Sequence, residues 1–281
     1  CIFIDIQPRA LKHLPSSTKK LAIIGESPII NQNNQKEILR KKHDRILTWE
    51  TDKVNNKDTY WIGCGCSYPE MYEIAGWPSN ALREGICMIS GNKKSSKSNE
   101  LYLERMRAVN YFERSNQKFR LYGNGWDQRK FHGWYRPLNK VGFARHFGHK
   151  PPTSFQGKCS SKFDCMKRFK FSICYENAIT NNGYISEKIF DSMFSGCVPI
   201  YLGASNIHKF VPSGSFIQKD LFETYKQLEV YLEGMQEYEY NEYQQRIKEY
   251  AGRFLRSTFY DVNWAKKIAE HCAEILEIQS K

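Results

Sequence analysis

The sequence predicts an α/β fold made of two consecutive units and a helical tail. Short apolar runs alternate with polar crossovers in residues 1–83, and the same alternation starts again after residue 84. Residues 221–278 instead carry apolar side chains at three- to four-residue spacing, which is typical of amphipathic helices. Strand, crossover and strand in succession indicate two parallel sheets.

The first unit, residues 1–83, contains four apolar runs that we predict to be strands. They are Ile2–Ile6, Lys20–Gly25, Ile46–Trp49 and Tyr60–Ile62. A charged segment, 36–44, separates the second run from the third. The turn-rich segment 77–80 is the best candidate for a linker to the second unit.

The second unit, residues 84–260, repeats the pattern with longer crossovers. We predict strands at Ile86–Ser90, Phe119–Tyr122, Phe169–Tyr175 and Val198–Leu202, and helices at Leu101–Arg114 and Ile185–Phe194. Residues 127–160 are rich in Gly, Pro, Arg and aromatic residues and show no period. Residues 261–281 form a last helix that we expect to pack back on the first unit.

Composition excludes a disordered chain and raises the question of an anionic partner. The 281 residues are 41% hydrophobic and 26% charged, as in folded proteins. Forty-two Lys and Arg against 30 Asp and Glu leave a net charge of +12, which favours nucleic acid, membrane surfaces or small phosphorylated ligands. No apolar stretch reaches the roughly 18 residues that a membrane span needs. The nine cysteines show no zinc-binding spacing, so we predict reduced structural thiols.

A basic loop between a predicted strand and helix comes close to a phosphate-binding P-loop. The segment 91–98 has Ser96 where the motif requires a second glycine, whose conformational freedom the loop backbone needs. A P-loop kinase or ATPase using Lys97 is therefore one alternative function. A basic nucleic-acid-binding protein is another, although no reader motif is present. His146 and His149 lack a third ligand at suitable spacing, and we predict no metal site.

The chemistry-bearing residues are densest between Phe169 and Ile217. We expect an apolar strand to deliver Glu176 and Asn177 to its carboxyl end, before a polar turn opens a helix. Four polar residues at helical spacing would share one face of that helix: Tyr184, Glu187, Lys188 and Asp191. Ligands of open α/β sheets bind beyond the carboxyl ends of the strands, and helix N-termini attract phosphate. The pattern predicts an ammonium for a diphosphate and a carboxylate for ribose hydroxyls.

This stretch resembles the nucleotide-sugar signature of the alpha-1,3-fucosyltransferases of glycosyltransferase family 10. The matching segments are Tyr175-Glu176-Asn177, Tyr184-Ile185-Ser186-Glu187-Lys188, Gly196-Cys197-Val198-Pro199-Ile200-Tyr201-Leu202-Gly203 and Phe210-Val211-Pro212-Ser213-Gly214-Ser215-Phe216. Tyr175 replaces the usual Phe, and Gly214 is an extra residue. In the first unit, Glu26-Ser27-Pro28 resembles the family's E-S-P motif.

The resemblance implies a GT-B architecture, in which two Rossmann-like domains face each other across the active-site cleft. It implies transfer of L-fucose from GDP-β-L-fucose to a glycan hydroxyl, with inversion to an alpha-1,3 linkage. The usual acceptor in the family contains GlcNAc, and no metal or other cofactor is expected. A GT-B protein that is non-catalytic or uses a different nucleotide sugar is a third alternative.

The resemblance also implies roles for individual residues. Glu26 would act as the catalytic base, and Lys188 would neutralise the departing GDP together with an arginine. Either Arg105 or Arg107 could be the arginine that contacts the diphosphate, and we favour Arg107. Glu187 would bind ribose hydroxyls, with Asn177 and Tyr184 near the fucose or the diphosphate.

The acceptor side and the surplus charge are less defined. Three aromatic residues in or near the irregular segment are candidates for stacking on a sugar: Trp126, Trp134 and Tyr135. GDP-fucose and a glycan are the expected partners, nucleic acid is not, and the surplus basic surface would allow peripheral membrane contact. The compartment stays open: cytoplasm or membrane surface for a bacterial protein, Golgi lumen for one with an upstream anchor.

Overall fold

The computed structural model describes residues 1–68, 83–128, 137–138, 141, 150–180 and 182–277. Its first sheet has four parallel strands in chain order. These are β1 (Ile2–Ile4), β2 (Leu21–Ile24), β3 (Arg45–Thr48) and β4 (Thr59–Trp61). Short helices α1 (Pro8–Leu11) and α2 (Glu37–Arg40) lie in the first two crossovers. Every residue of β2 and β3 is buried, as expected for a parallel sheet covered on both faces.

The second sheet has five parallel strands in the order β6-β5-β7-β8-β9. They are β5 (Ile86–Ile89), β6 (Phe119–Tyr122), β7 (Phe171–Thr180), β8 (Val198–Ala204) and β9 (Ile217–Gln218). The chain runs from β5 to its neighbour on one side, β6, and then returns to β7 on the other side. The strand order therefore reverses at β5 and β7, and a crevice opens beyond their carboxyl ends.

Six helices of the described chain accompany or follow this sheet. They are α3 (Tyr102–Phe112), α4 (Lys162–Met166), α5 (Glu187–Phe194), α6 (Tyr225–Gly234), α7 (Glu237–Phe254) and α8 (Asp261–Glu277). Thr224 and Gln227 form a capping box that fixes the start of α6. The core between α5 and α7 is aromatic: the Phe254 ring lies 5.0 Å from Phe190 and 4.9 Å from Phe194.

Helix α8 packs against the first sheet, although it follows the second in sequence. Its Ile268 and Ile275 join a buried cluster with residues of β2 and β3. The indole of Trp264 donates a hydrogen bond to the Gly63 carbonyl at 3.0 Å. A Cβ at Gly65 would lie only 2.7 Å from the Trp264 ring, so this close approach requires glycine. Helix α8, which follows the second unit in sequence, therefore packs as part of the first unit.

Two predicted elements differ from the structure where the candidate site lies. Strand β7 continues to Thr180, with a register shift after Tyr175, so Glu176 and Asn177 lie inside the strand and not at its end. Helix α5 begins at Glu187, because Ser186 is extended with φ −100° and ψ −179°. The prediction that Tyr184 shares a face of this helix was therefore wrong.

Several predicted features lie outside the described residues: the linker at 77–80 and the side chains of Trp134, Tyr135, His146 and His149. Within the described residues, no helix combines the length and apolarity required to cross a bilayer.

Candidate active site

A cavity of about 520 Å³ lies where the carboxyl ends of the two sheets face each other. The first sheet contributes the turns after β1 and β2, and the second contributes the segments after β5 and β6, part of β7 and the start of α5. The charged side chains that line it are Asp5, Glu26, Lys93, Arg105, Lys162, Glu187, Lys188 and Asp191. Of the seven residues to which the resemblance gives a role, six line this cavity, and Arg107 does not.

Glu26 is positioned by an aspartate that the sequence did not single out. The Oδ1 atom of Asp5 accepts hydrogen bonds from the backbone N–H groups of Gly25 at 2.9 Å and Glu26 at 3.0 Å. It also accepts one from the Asn34 amide at 2.9 Å. Asp5 itself adopts a left-handed conformation, φ 61°, which aspartate tolerates better than most residues. These bonds fix the turn that carries Glu26.

The half-buried carboxyl group of Glu26 has a raised pKa. Burial is the main cause, and the negative charge of Asp5 adds to it. The Tyr184 hydroxyl donates to Glu26 Oε2 at 3.3 Å. This hydrogen bond and the positive charge of Lys188 lower the pKa of Glu26, but not enough to cancel the effect of burial. A group with a raised pKa and access to the cavity can accept a proton from a substrate.

A hydrogen-bonded chain joins the two walls of the cavity. Asn177 Nδ2 in β7 donates to the Tyr184 hydroxyl at 3.1 Å, and that hydroxyl donates to Glu26 across the cleft. The ring of Tyr184 packs on Trp49 of the first unit, with 5.0 Å between centroids. Tyr184 therefore fixes the position of Glu26 relative to the second sheet.

Lys188 is held by a fully buried carboxylate. Its Nζ lies 3.3 Å from Glu176 Oε2 and 2.8 Å from Ser186 Oγ. Burial opposes the charged ammonium, but the carboxylates of Glu176 and Glu187 outweigh it, and the pKa of Lys188 is raised. Its side chain is 21% exposed, so a charged Lys188 remains accessible from the cavity.

The two candidate arginines point in different directions. Arg105 is buried and lines the cavity, and its Nη2 donates to the carbonyls of Tyr175 and Glu176 at 2.7 and 2.8 Å. Arg107 is 71% exposed, pairs with Glu104 at 2.9 Å, and lines a separate groove formed with α6. Two residues along a helix are about 200° apart, so only one can face the cavity. Arg105 therefore faces the cavity, whereas Arg107, which the sequence analysis favoured, does not.

A further group of charges lies where α4 meets α5. Lys162 pairs with Asp191 at 2.9 Å and lies 3.7 Å from Glu187. Burial raises the pKa of Glu187 by itself, but the charges of Lys188 and Lys162 outweigh it and lower that pKa. Asp191 also accepts a hydrogen bond from the Tyr68 hydroxyl at 2.8 Å. Glu187 is therefore an ionised carboxylate at the rim of the cavity, where it can accept hydrogen bonds from hydroxyl groups.

Other sequence candidates are placed elsewhere. Trp126 is a buried core residue whose indole donates to the Ser90 carbonyl at 2.6 Å, so it is not available to stack on a sugar. Lys97 is exposed and does not line the cavity, whereas Lys93 of the same basic loop does. Among the described residues, no group of three or more His, Cys, Asp or Glu side chains is arranged to hold a metal ion.

Comparison with known proteins identifies the family. The sequence model of the glycosyltransferase family 10 (fucosyltransferase) C-terminal region matches residues 90–281, more than half of the chain. This protein belongs to glycosyltransferase family 10. Its fold is of the GT-B type shared by fucosyltransferases and other glycosyltransferases.

Individual relatives match a smaller part of the chain. Identity is 40% over 67 residues with the Alpha-(1,4)-fucosyltransferase of Arabidopsis thaliana, covering 24% of this chain and 16% of that protein. It is 34% over 65 residues with the Alpha-(1,3)-fucosyltransferase FucT of Helicobacter pylori, covering 23% and 13%. A crystal structure of an alpha1,3-fucosyltransferase with GDP-fucose aligns with a TM-score of 0.51 at 16% identity. That alignment covers 82% of this chain and 67% of the other. At this level of identity, the structural similarity shows a shared fold and nothing about activity.

Proposed function

We propose that this protein transfers L-fucose from GDP-β-L-fucose to a hydroxyl group of a glycan, with inversion at the anomeric carbon. The observation that carries the proposal is the pairing of Glu26 on one wall of the cavity with Lys188 on the other. Membership of family 10 supports the donor sugar, and the cations around the cavity suit a nucleoside diphosphate.

Glu26 would remove the proton of the acceptor hydroxyl as its oxygen attacks the anomeric carbon. The C–O bond to the acceptor forms while the bond to the diphosphate oxygen breaks, and the proton goes to the Glu26 carboxylate. The raised pKa of Glu26, caused mainly by burial, favours this proton transfer. Inversion would follow, because Glu26 and the Lys188 that would meet the leaving group come from opposite walls.

The departing diphosphate carries negative charge, which positive groups on the second wall would stabilise. Lys188 is charged and accessible, Arg105 lines the same cavity, and the N-terminus of α5 adds its dipole. We propose that Arg105 is the arginine that contacts the diphosphate and that Glu187 binds the ribose hydroxyls. Because these groups meet the charge themselves, we propose that the reaction requires no metal ion.

We further propose a GlcNAc-containing acceptor and an alpha-1,3 linkage. Asn177 and Tyr184 line the same cavity, and Tyr184 is hydrogen-bonded to both Asn177 and Glu26. We propose that they lie beside the fucosyl group. The relatives reported above include both an alpha-(1,3)- and an alpha-(1,4)-fucosyltransferase, so linkage requires a direct measurement.

The donor is tested by thermal shift with a panel of nucleotides, since a specific ligand raises the melting temperature by mass action. We expect stabilisation by GDP and GDP-fucose, and little by UDP, ADP or ATP. Incubation with GDP-fucose and N-acetyllactosamine should then release GDP and form an alpha-linked product, whose linkage NMR identifies. Stabilisation by UDP alone would indicate that the donor is a UDP-sugar and not GDP-fucose. Mg-ATP turnover abolished by Lys97→Ala would contradict the proposal and establish the kinase alternative.

A further inference from the structure

The carboxylate of Glu176 lies under the floor of the candidate active site and has no exposed surface. It accepts hydrogen bonds from the Ser186 backbone N–H at 2.8 Å and the Ser186 hydroxyl at 2.6 Å. It also accepts one from the Lys188 ammonium at 3.3 Å. All three donors belong to the segment that starts α5.

Such a buried carboxylate is costly for stability, because an ion loses its hydration when it leaves water. The fold nevertheless makes room for it: a Cβ at Gly203 in β8 would lie 2.5 Å from Glu176 Cγ. An apolar side chain could fill the same space without the desolvation cost. The contacts of Glu176 therefore indicate a role in arranging charge at the site above it.

The contacts also explain the local structure of the site. Ser186 stays extended because its N–H and hydroxyl both bind Glu176, and α5 therefore starts only at Glu187. Lys188 is in turn bonded to both the Ser186 hydroxyl and Glu176. The ammonium is thus held by two partners whose positions depend on the same carboxylate.

We propose that Glu176 is a positioning residue for sugar transfer: it holds the Lys188 ammonium charged and in place to meet the diphosphate of the donor. This inference rests on the proposed function, because it assumes that Lys188 meets that diphosphate. Glu176 itself does not touch the substrate.

The charge of Lys188 depends on the groups around it. Glu176 from β7 and Glu187 from α5 favour the ammonium, whereas burial and the positive charge of Arg105 from α3 oppose it. Glu26 and Tyr102 also face it from across the cavity. Removing the charge of Glu176 removes the largest favourable contribution, so the pKa of Lys188 should fall below that in the parent protein.

The test is Glu176→Gln, which keeps the size of the side chain and removes its charge. GDP affinity is measured by calorimetry from pH 6.5 to 9.5, as the ratio of variant to parent Kd, so that titration of GDP itself cancels. We expect a ratio below about 3 at pH 6.5 that rises at least tenfold by pH 9.5. A ratio that does not change with pH would overturn the inference.

The matched control is the double variant Glu176→Gln/Lys188→Arg. A guanidinium stays protonated throughout this pH range, so the double variant should show a ratio that does not vary with pH. A pH-dependent ratio in the double variant would assign the effect to a group other than Lys188 and overturn the inference.

A measurement on the parent protein covers the case in which Glu176→Gln does not fold. In protein with isotope-labelled, reductively methylated lysines, the signal that Lys188→Arg removes should not titrate below pH 9.5. Titration below that pH would contradict the proposed role. This measurement needs no nucleotide, so it tests the charge of Lys188 even if GDP fails to bind and the proposed donor is wrong.

Discussion

Two glutamates, one from each unit, illustrate how one residue type serves two purposes. Glu26, after β2, is half-buried, accepts a hydrogen bond from Tyr184 and has a pKa raised mainly by burial. Glu176, within β7, is fully buried and accepts bonds from Ser186 and Lys188. A base must be able to take up a proton, whereas a positioning carboxylate must keep its charge. The number of donors around each carboxylate distinguishes these roles.

The strongest test of this contrast is Glu26→Gln. The amide cannot accept the proton, so we expect the transfer rate to fall about 100- to 10,000-fold. GDP affinity should stay within about twofold, because no diphosphate contact is assigned to Glu26. Rate is measured with GDP-fucose at saturation and affinity by calorimetry. Parallel loss of rate and affinity would place Glu26 in donor binding instead.

Lys188→Ala should have the next largest effect. Loss of a cation facing the leaving group is expected to lower kcat/KM about 100- to 1,000-fold and to weaken GDP binding. Kinetics with GDP-fucose and calorimetry with GDP measure the two quantities.

Arg107→Ala is the matched control for Lys188→Ala. It also removes one cation, but from an exposed position outside the cavity. GDP affinity and rate should stay at the parent level. If Arg107→Ala weakens GDP binding and Lys188→Ala does not, our assignment of the diphosphate contacts is reversed.

Tyr184→Phe tests the link between the two walls. The Tyr184 hydroxyl lowers the pKa of Glu26, so its removal should raise that pKa further above the ordinary value. Since Glu26 acts as a carboxylate, the loss of activity on acidification should begin at a higher pH than in the parent protein. One hydrogen bond is worth about 1 kcal/mol, so we expect a rate loss of about tenfold or less. The measurement is a pH–rate profile of kcat/KM for the variant and the parent protein. An acid limb at the same pH in both would show that Tyr184 does not influence the pKa of Glu26.

The smallest effect concerns stability far from both glutamates. Arg45 donates to His271 Nδ1 at 2.9 Å, and this bond needs a neutral imidazole. Burial and the positive charge of Arg45 lower the pKa of His271. The unfolded chain therefore binds the proton more readily, so stability from this contact is complete above about pH 6.5 and declines below it.

We accordingly expect the melting temperature to fall between pH 7 and pH 5, and His271→Gln to reduce that fall by roughly 2–4 °C. Scanning calorimetry of both proteins at the two pH values measures the difference. His43, whose pKa is also lowered mainly by burial, contributes with the same sign and remains in the variant. An unchanged pH dependence in His271→Gln would assign the effect to other groups.

The sequence singled out six of the residues that line the cavity but did not predict their arrangement. Glu26 was found through its resemblance to the E-S-P motif, and Glu187 and Lys188 through helical spacing and a family motif. Asn177 was found because it follows an apolar run. Arg105 could not be separated from Arg107, because the rotation of α3 depends on which of its faces packs on the sheet. Asp5 carried no signal, since its partners at residues 25, 26 and 34 are distant in sequence.

The sequence by itself determined the fold class and the family, because strand periodicity and ordered motifs are local properties of the chain. Only the tertiary structure decided which charges meet: Glu26 with Tyr184 across the cleft, and Glu176 with Lys188 beneath it. The reason is physical. A pKa or an ion pair depends on burial and on neighbours a few ångströms away, and these neighbours come from different strands that meet only after folding.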